Sequence, residues 1–236
     1  MLNFSIKEWD EAVGQKTPSP FSQAWSWAEF QKRVGRQRFF IKNSAGQALL
    51  IKCPLPLGQN YLYSPRGPIL NTWNEESFRA FLSDVRTLTA KEKSIFWRFD
   101  PPILSKDLKI SHLQKVADVQ PVKTIIVDLF ASEEEMLGKM HYKTRYNIRL
   151  AQRHQITIRE GRSDEIEHFI RLIDLTSQRD DFRSHSDDYY RQMLSAQSPS
   201  LDDFYLKLLL AEYQGQVLVA NLVVFFGNTV TYLHCA

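Results

Sequence analysis

An internal repeat limits most strongly what this chain can fold into. At an offset of 169 positions, residues 40–67 lie over residues 209–236. Gly46 then meets Gly215, Gln47 meets Gln216, Leu49 meets Leu218, Gly58 meets Gly227 and Tyr63 meets Tyr232. Apolar runs flank each glycine, and glycine between such runs supplies the tight turns of hairpins. Each copy reads as strand–turn–strand–turn–strand preceded by helices, which points to a duplicated mixed α/β fold.

The rest of the pattern is organised around the two copies. Residues 21–33 read as an amphipathic helix with Ser22 as its cap and Gly35 past its end. Strands are expected at 38–42, 47–54 and 61–64, the first two joined by the turn 43–46. Residues 74–91 carry Phe78, Phe81, Leu82, Val85 and Leu88 at helical spacing, and 94–100 reads as a strand stopped by Pro101 and Pro102. A further strand is expected at 123–129. Ser132 and Glu135 form a capping box that opens a helix breaking near 139–142 and resuming to His154. A strand at 156–160, helices from Ser163 and over 187–196, and strands at 205–213, 216–226 and 229–234 complete the chain.

This places a first domain at 1–155, including a basic helical segment at 132–154, and the opening part of a second at 156–236. The first copy continues after Gly67 with a helix and a strand, whereas the second has no such continuation. We therefore expect a shortened form of a longer two-domain protein, with an apolar sheet edge left uncovered. The alternative is a naturally short variant whose edge a partner, or its own first domain, covers.

Composition removes several classes. With 236 residues, 43% hydrophobic and 24% charged, the chain is ordinary globular material. Its longest apolar stretch is interrupted by Asn221, so no bilayer-spanning segment is expected, and the start lacks a basic-then-apolar leader. Two cysteines are too few for a disulfide scaffold, which points to the cytoplasm. Six scattered histidines, without C-x-x-C or H-E-x-x-H, give a metal site no support. A net charge of +3 permits an anionic partner without demanding one.

Several residues could carry chemistry. Residues 136–158 hold Lys139, Lys143, Arg145, Arg149 and Arg153 with no acidic residue. Arg145, Arg149 and Arg153 share one helical stripe beside Tyr142 and Tyr146, which suits phosphates and stacked bases, or else is a solvated face. Trp25, Trp27 and Phe30 read as core anchors, whereas Gln23 and Lys32 are less obviously structural. Two prolines and Gly67 stiffen the loop presenting Arg66, which is either a turn or a substrate contact. Asp100 falls at a strand end, as a site residue or as a turn residue. Arg179 can pair with Asp180 or Asp181, or point to a phosphate. There is no G-x-S-x-G, no P-loop and no Q-x-x-G-x-G phosphate loop.

Six segments in this order resemble the Fem family of peptidoglycan-bridge aminoacyltransferases. They are SQAWSWAEFQK at 22–32, YSPRGP at 63–68, RFDP at 98–101, KTRYNIR at 143–149, TSQRDDF at 176–182 and TYLH at 231–234. That family has two GNAT-like acyltransferase domains. The resemblance implies transfer of an amino acid from aminoacyl-tRNA to an amino group on the stem peptide of a UDP-linked or lipid-linked muramyl precursor. It implies no cofactor beyond the aminoacyl-tRNA co-substrate, and only peripheral membrane contact through a lipid-linked acceptor. By the same resemblance Lys32 and Arg179 meet the diphosphate. Gln23, Trp27, Arg66 and His234 line the substrate, Asp100 is the candidate base, and Lys143, Arg145, Arg149 and Arg153 face tRNA. Two other readings stand beside it. An acyl-CoA-dependent N-acyltransferase lacks its pyrophosphate loop here, and a non-catalytic RNA-binding module would use residues 143–153 alone.

Overall fold

The structure, a computed structural model, describes residues 4–103, 110–196 and 204–236. It divides into two compact units. The first is built from Met1–Gln120, His185–Lys207 and Val223–Tyr232, the second from Pro121–Ser184, Leu208–Leu222 and Leu233–Ala236. In chain order the elements are α1 (Ile6–Gly14), α2 (Trp25–Arg33), β1 (Arg38–Asn43), β2 (Gly46–Pro54), β3 (Asn60–Ser64), β4 (Ile69–Leu70), α3 (Glu75–Lys91) and β5 (Trp97–Phe99). There follow α4 (Glu133–Lys139), α5 (Tyr142–Arg153), β6 (Thr157–Gly161), α6 (Ile166–Asp180), α7 (Asp187–Leu194), β7 (Phe204–Tyr213), β8 (Gln216–Phe226) and β9 (Thr229–Cys235).

In the first unit β1, β2 and β3 run antiparallel in succession, with Phe40 opposite Leu49 and Ile51 opposite Tyr63. The short β4 pairs with the start of β2, and β5 lies parallel to β3. On one face Ile41, Ala48, Leu50 and Leu62 meet Phe78, Phe81 and Val85 of α3 in a single apolar cluster. The other face is covered by α1 and α2. Trp25 stacks on Phe40 at 4.5 Å, and the Gln47 amide donates to the Trp9 carbonyl at 3.1 Å. Both faces of β2 are therefore covered, which is why its first six residues are all buried and why its apolar run barely alternates. Helix α7 belongs to the same unit, with Tyr189 edge-on to Phe30 at 5.0 Å.

Two boundaries here differ from the sequence pattern. Helix α2 begins at Trp25, because residues 21–23 form a separate 3-10 turn. Ser22 does not cap it; its hydroxyl donates to the Pro65 carbonyl at 3.0 Å. The cap comes instead from α1, where the buried Asp10 Oδ1 accepts from the Trp25 N–H at 2.7 Å. Strand β5 is also shorter than expected, since only Trp97–Phe99 find partners on β3. Helix α1, which the sequence pattern passes over, is opened by a capping box of Ser5 and Glu8.

In the second unit the capping box of Ser132 and Glu135 opens α4, and the chain breaks before α5 as the sequence predicts. Strand β6 pairs antiparallel with β7, Ile158 opposite Ala211, within a sheet of order β6-β7-β8-β9. In the part of β7 that belongs to this unit, Leu208 and Leu210 are buried and the intervening Leu209 is half-buried. Helix α6 buries Ile166, Phe169, Ile170 and Ile173. The expected strand at 123–129 is absent: Ile125, Ile126, Leu129 and Phe130 stand exposed, Ile125 at 93%. Apolar composition makes a strand only where a neighbouring edge offers its backbone, and no described strand pairs with this segment.

The repeat corresponds to real turns. Gly58 and Gly227 occupy equivalent left-handed turns at φ 72° and 55°, and β1–β2–β3 and β7–β8–β9 are consecutive neighbours in their sheets.

Candidate active site

Parallel strands side by side end together, and here the ends of β3 and β5 carry the polar groups. Their register pairs Tyr63 with Arg98 and Ser64 with Phe99. Asp100 therefore leaves β5 level with the Pro65–Arg66–Gly67 turn that leaves β3. The Arg66 backbone N–H donates to Asp100 Oδ1 at 2.9 Å. That turn requires Arg66 at φ 51°, a left-handed conformation costly for a residue with a side chain. Asp100 Oδ2 is buried, and the Tyr63 hydroxyl stands against the same carboxylate.

Burial sets the protonation behaviour of both groups. It pushes the Asp100 carboxyl above the usual range, with the Arg66 N–H opposing it. It pushes the Tyr63 phenol up as well, and the negative charge of Asp100 adds to that. Gln120 donates its amide to the Tyr63 oxygen at 3.3 Å, and Arg98 donates to the Ala117 carbonyl. The strand that follows α3 and the segment near 117–120 thus close around the pair. Chemically, this is a carboxylate kept basic by desolvation, at a strand end, beside a phenol. Cys53, in contrast, is pushed up by burial and stays a thiol at neutral pH.

Gln23 lies behind this loop. It is fully buried, its Nε2 donating to the Pro65 carbonyl at 2.7 Å and its Oε1 accepting from the Leu49 N–H at 2.8 Å. It ties the centre of β2 to the Arg66 turn. Gly67 makes room for it: a Cβ at Gly67 would sit 2.7 Å from the Gln23 amide. Trp27 is packed edge-on against Phe21 at 5.1 Å and beside Phe30 at 5.0 Å. Lys32 is exposed in the last turn of α2, whereas its neighbour Gln31 is buried and accepts from Arg36 at 2.9 Å. Of the sequence candidates, the structure brings together Gln23, Arg66 and Asp100. Tyr63 and Gln120 complete that group; Tyr63 stood in the sequence as a repeat identity and a segment residue without a site role, and Gln120 was not a candidate, because both act through register and packing.

The remaining candidates lie in the second unit. Arg179, near the end of α6, is exposed and pairs in a bidentate way with Asp180, Nε to Oδ1 at 2.7 Å and Nη2 to Oδ2 at 2.8 Å. His234 is half-buried on β9. Lys143 and Arg149 project from α5 into solvent, as does Arg153, whose guanidinium lies 5.9 Å from the Tyr146 ring centre. Arg145 is different: it donates to the carbonyls of Leu137 and Gly138, each at 3.4 Å, and to that of Met140. Those carbonyls lie at the end of α4, where a cation is favourably placed.

The model of the FemAB family matches residues 4–131 and 111–213. Similar curated proteins are the lipid II:glycine glycyltransferases of Staphylococcus aureus strains MRSA252 and USA300. Each is 22% identical over 217 residues, which cover 83% of this chain and 51% of the relative. The chain spans about half the length of these relatives. A crystal structure of FemX is similar over 100% of this chain and 79% of its own, with a TM-score of 0.81 at 17% identity. That likeness shows the fold, in agreement with the mixed α/β, GNAT-like architecture expected from the sequence.

Proposed function

Because this chain belongs to the FemAB family, we propose that it takes part in moving an aminoacyl group from aminoacyl-tRNA to the stem-peptide amine of a muramyl precursor. The relatives' name, lipid II:glycine glycyltransferase, favours a lipid-linked acceptor; no helix among the described residues is long and apolar enough to cross a membrane. The observation that carries the reading is the Asp100 carboxylate, fixed by the Arg66 N–H at the ends of two parallel strands and made basic by burial.

Aminoacyl transfer asks little of a protein. The ester is already activated, so the amine nitrogen attacks the carbonyl carbon, the ester C–O bond breaks, and the ribose oxygen leaves as a hydroxyl by taking back the proton that the amine has given up to the base. The protein must align the two groups and accept the amine's proton. Asp100 is the group proposed to receive that proton, its raised affinity suiting it to the task near neutral pH. Gln23 and Trp27 act from behind, by fixing the loop and helix that present Arg66 and Lys32. Lys32 is the cation proposed to meet the precursor's diphosphate; Arg179 and His234, in the second unit, are each proposed as contacts of the precursor.

Calorimetric titration with a UDP-linked muramyl pentapeptide tests this. Saturable binding is expected, weakened roughly tenfold or more by Lys32→Ala or by Arg179→Ala, as for loss of a charge-assisted hydrogen bond. Binding that neither substitution changes would overturn the assignment of these cations.

A further inference from the structure

The Asp100 carboxylate is covered on its open side by a segment without regular structure. Trp97 and Phe99 of β5 turn toward α3, where Trp97 stacks on Phe78 with ring centres 6.1 Å apart. Alternation along the strand therefore sends Arg98, and Asp100 just beyond it, to the opposite face. The register sets Tyr63 beside Arg98 on that face. From the loop side the Arg66 N–H occupies Oδ1, and the Tyr63 hydroxyl stands against the same carboxylate. An approach to Asp100 along the face therefore passes Tyr63 and Arg98.

Residues 111–120 lie on those two side chains. The segment starts from firm anchors. Ile110 packs against the apolar cluster of this unit, and Ser111 donates to the Glu75 carboxylate, its N–H at 3.1 Å and its hydroxyl at 2.9 Å. His112 then turns the chain in a left-handed conformation, φ 63°. No residue from 113 to 118 belongs to a helix, strand or turn, and Val116 and Val119 are exposed, so apolar packing adds little hold. The hold comes from the site itself. Arg98 donates to the Ala117 carbonyl, and the Gln120 amide donates to the Tyr63 oxygen at 3.3 Å. Among the described residues these are the hydrogen bonds that tie 112–120 to the rest of the unit. One spends a guanidinium on a neutral acceptor and the other is long, so water or a ligand replaces either at small cost.

We propose that residues 112–120 form a strap over the Asp100 carboxylate, fastened by Arg98 and Gln120 and hinged at Ser111 and His112, and that it lifts to admit a substrate. When down, the strap also orders the site beneath it. The Tyr63 oxygen accepts from Gln120, so the single phenol proton is directed to Asp100. Lifting frees that oxygen and uncovers the carboxylate in one movement. That the substrate so admitted is an acceptor amine rests on the function proposed above; the cover itself does not.

The experiment is carbodiimide coupling of glycine ethyl ester to the carboxyl groups of the folded chain at mildly acidic pH, read peptide by peptide by mass spectrometry. Glu76, exposed in the same unit, is the fast reference. Glu92, half-buried in an ion pair with Lys52 at 3.0 Å, is the slow one. In the unmodified chain Asp100 should couple far more slowly than Glu76. Gln120→Ala and, separately, Arg98→Gln should each speed Asp100 about fivefold, as for loss of one net hydrogen bond holding the closed form. The two together should exceed either alone, with Glu76 and Glu92 unchanged. Ser111→Ala loosens the hinge and leaves both fastenings, so Asp100 should stay protected. Circular dichroism checks that each variant folds. Asp100 as fast as Glu76 in the unmodified chain, no gain in either variant, an equal gain at Glu92, or an equal gain in Ser111→Ala would each overturn the proposal. No muramyl precursor enters the assay, so failure of the strap and failure of the proposed function are separate results.

Discussion

Asp100 is held by the Arg66 N–H and the Tyr63 hydroxyl but buried beyond what those bonds offset, so its folded-state pKa lies above the unfolded value. Below the unfolded value both states are protonated and the cost is absent. As pH rises through the folded value, ionising the carboxyl in its half-buried place costs stability. Asp100→Asn keeps an oxygen for the Arg66 N–H and removes that charge. Its melting temperature should therefore exceed that of the unmodified chain at neutral pH, and the gap should close on acidification toward pH ~4. A gap that widens in acid would contradict the burial argument. Gln23 makes a different prediction: Gln23→Leu removes the partner of the Leu49 N–H in the interior and leaves the Pro65 carbonyl with the Ser22 hydroxyl alone. At about 1–3 kcal/mol for the stranded N–H, a loss of that size is expected by urea denaturation. Asp100 and Arg66 were legible as candidates because a strand end and a proline-bounded loop are local signals. The inward aim of Gln23 was not, since nothing in residues 22–32 says which polar side chain faces the sheet. The partnership of Tyr63 with Asp100 was equally hidden, because it depends on the register of β3 against β5.

At the scale of elements, the long helix α3 was read to within one residue, because five apolar residues at helical spacing outweigh any local ambiguity. It holds the sheet through Phe78, Phe81 and Val85. Phe81→Ala should cost about 3–5 kcal/mol and release the first unit at correspondingly lower urea. Helix starts were legible only where the cap is local. Asn74 and Ser132 cap from within their own segments, whereas α2 takes its cap from Asp10, 15 residues away. Strands were legible where both partners lie close in sequence, as in the hairpins β1–β2 and β8–β9. The pairing of β6 with β7 spans a long separation and is fastened by Arg159, which reaches Glu212 on β7 at 2.7 Å and Glu165 at 2.6 Å. Arg159, and the Arg162 N–H after it, hold the Glu165 carboxyl down at about 2. That stabilisation is complete above the unfolded value near 4.3 and is lost as pH falls toward about 2. Glu165→Gln should therefore flatten the acid dependence of unfolding of the second unit across this window, as followed by near-ultraviolet circular dichroism.

For the whole molecule, the duplication was the most informative reading of the sequence, because it predicted the three-strand runs β1–β2–β3 and β7–β8–β9 from a few glycines. The family followed from short segments in a fixed order and is shown by a match across most of the chain. The expected strand at 123–129 marks where such reading fails, since composition fixes the preference for a strand and only a neighbour can satisfy it. The same stretch has a practical consequence. Lys123 to Phe130 combines β-branched and aromatic residues with little net charge and no proline, and much of it faces water. Windows of that kind recruit one another. The purified chain should therefore self-associate as its concentration rises, and bind 1-anilinonaphthalene-8-sulfonate while still folded. Ile125→Lys with Ile126→Lys should abolish both effects and shift unfolding by no more than about 0.5 kcal/mol per site, because both side chains are exposed. Anyone handling this protein would then find its solubility governed by eight residues that contribute almost nothing to its cores.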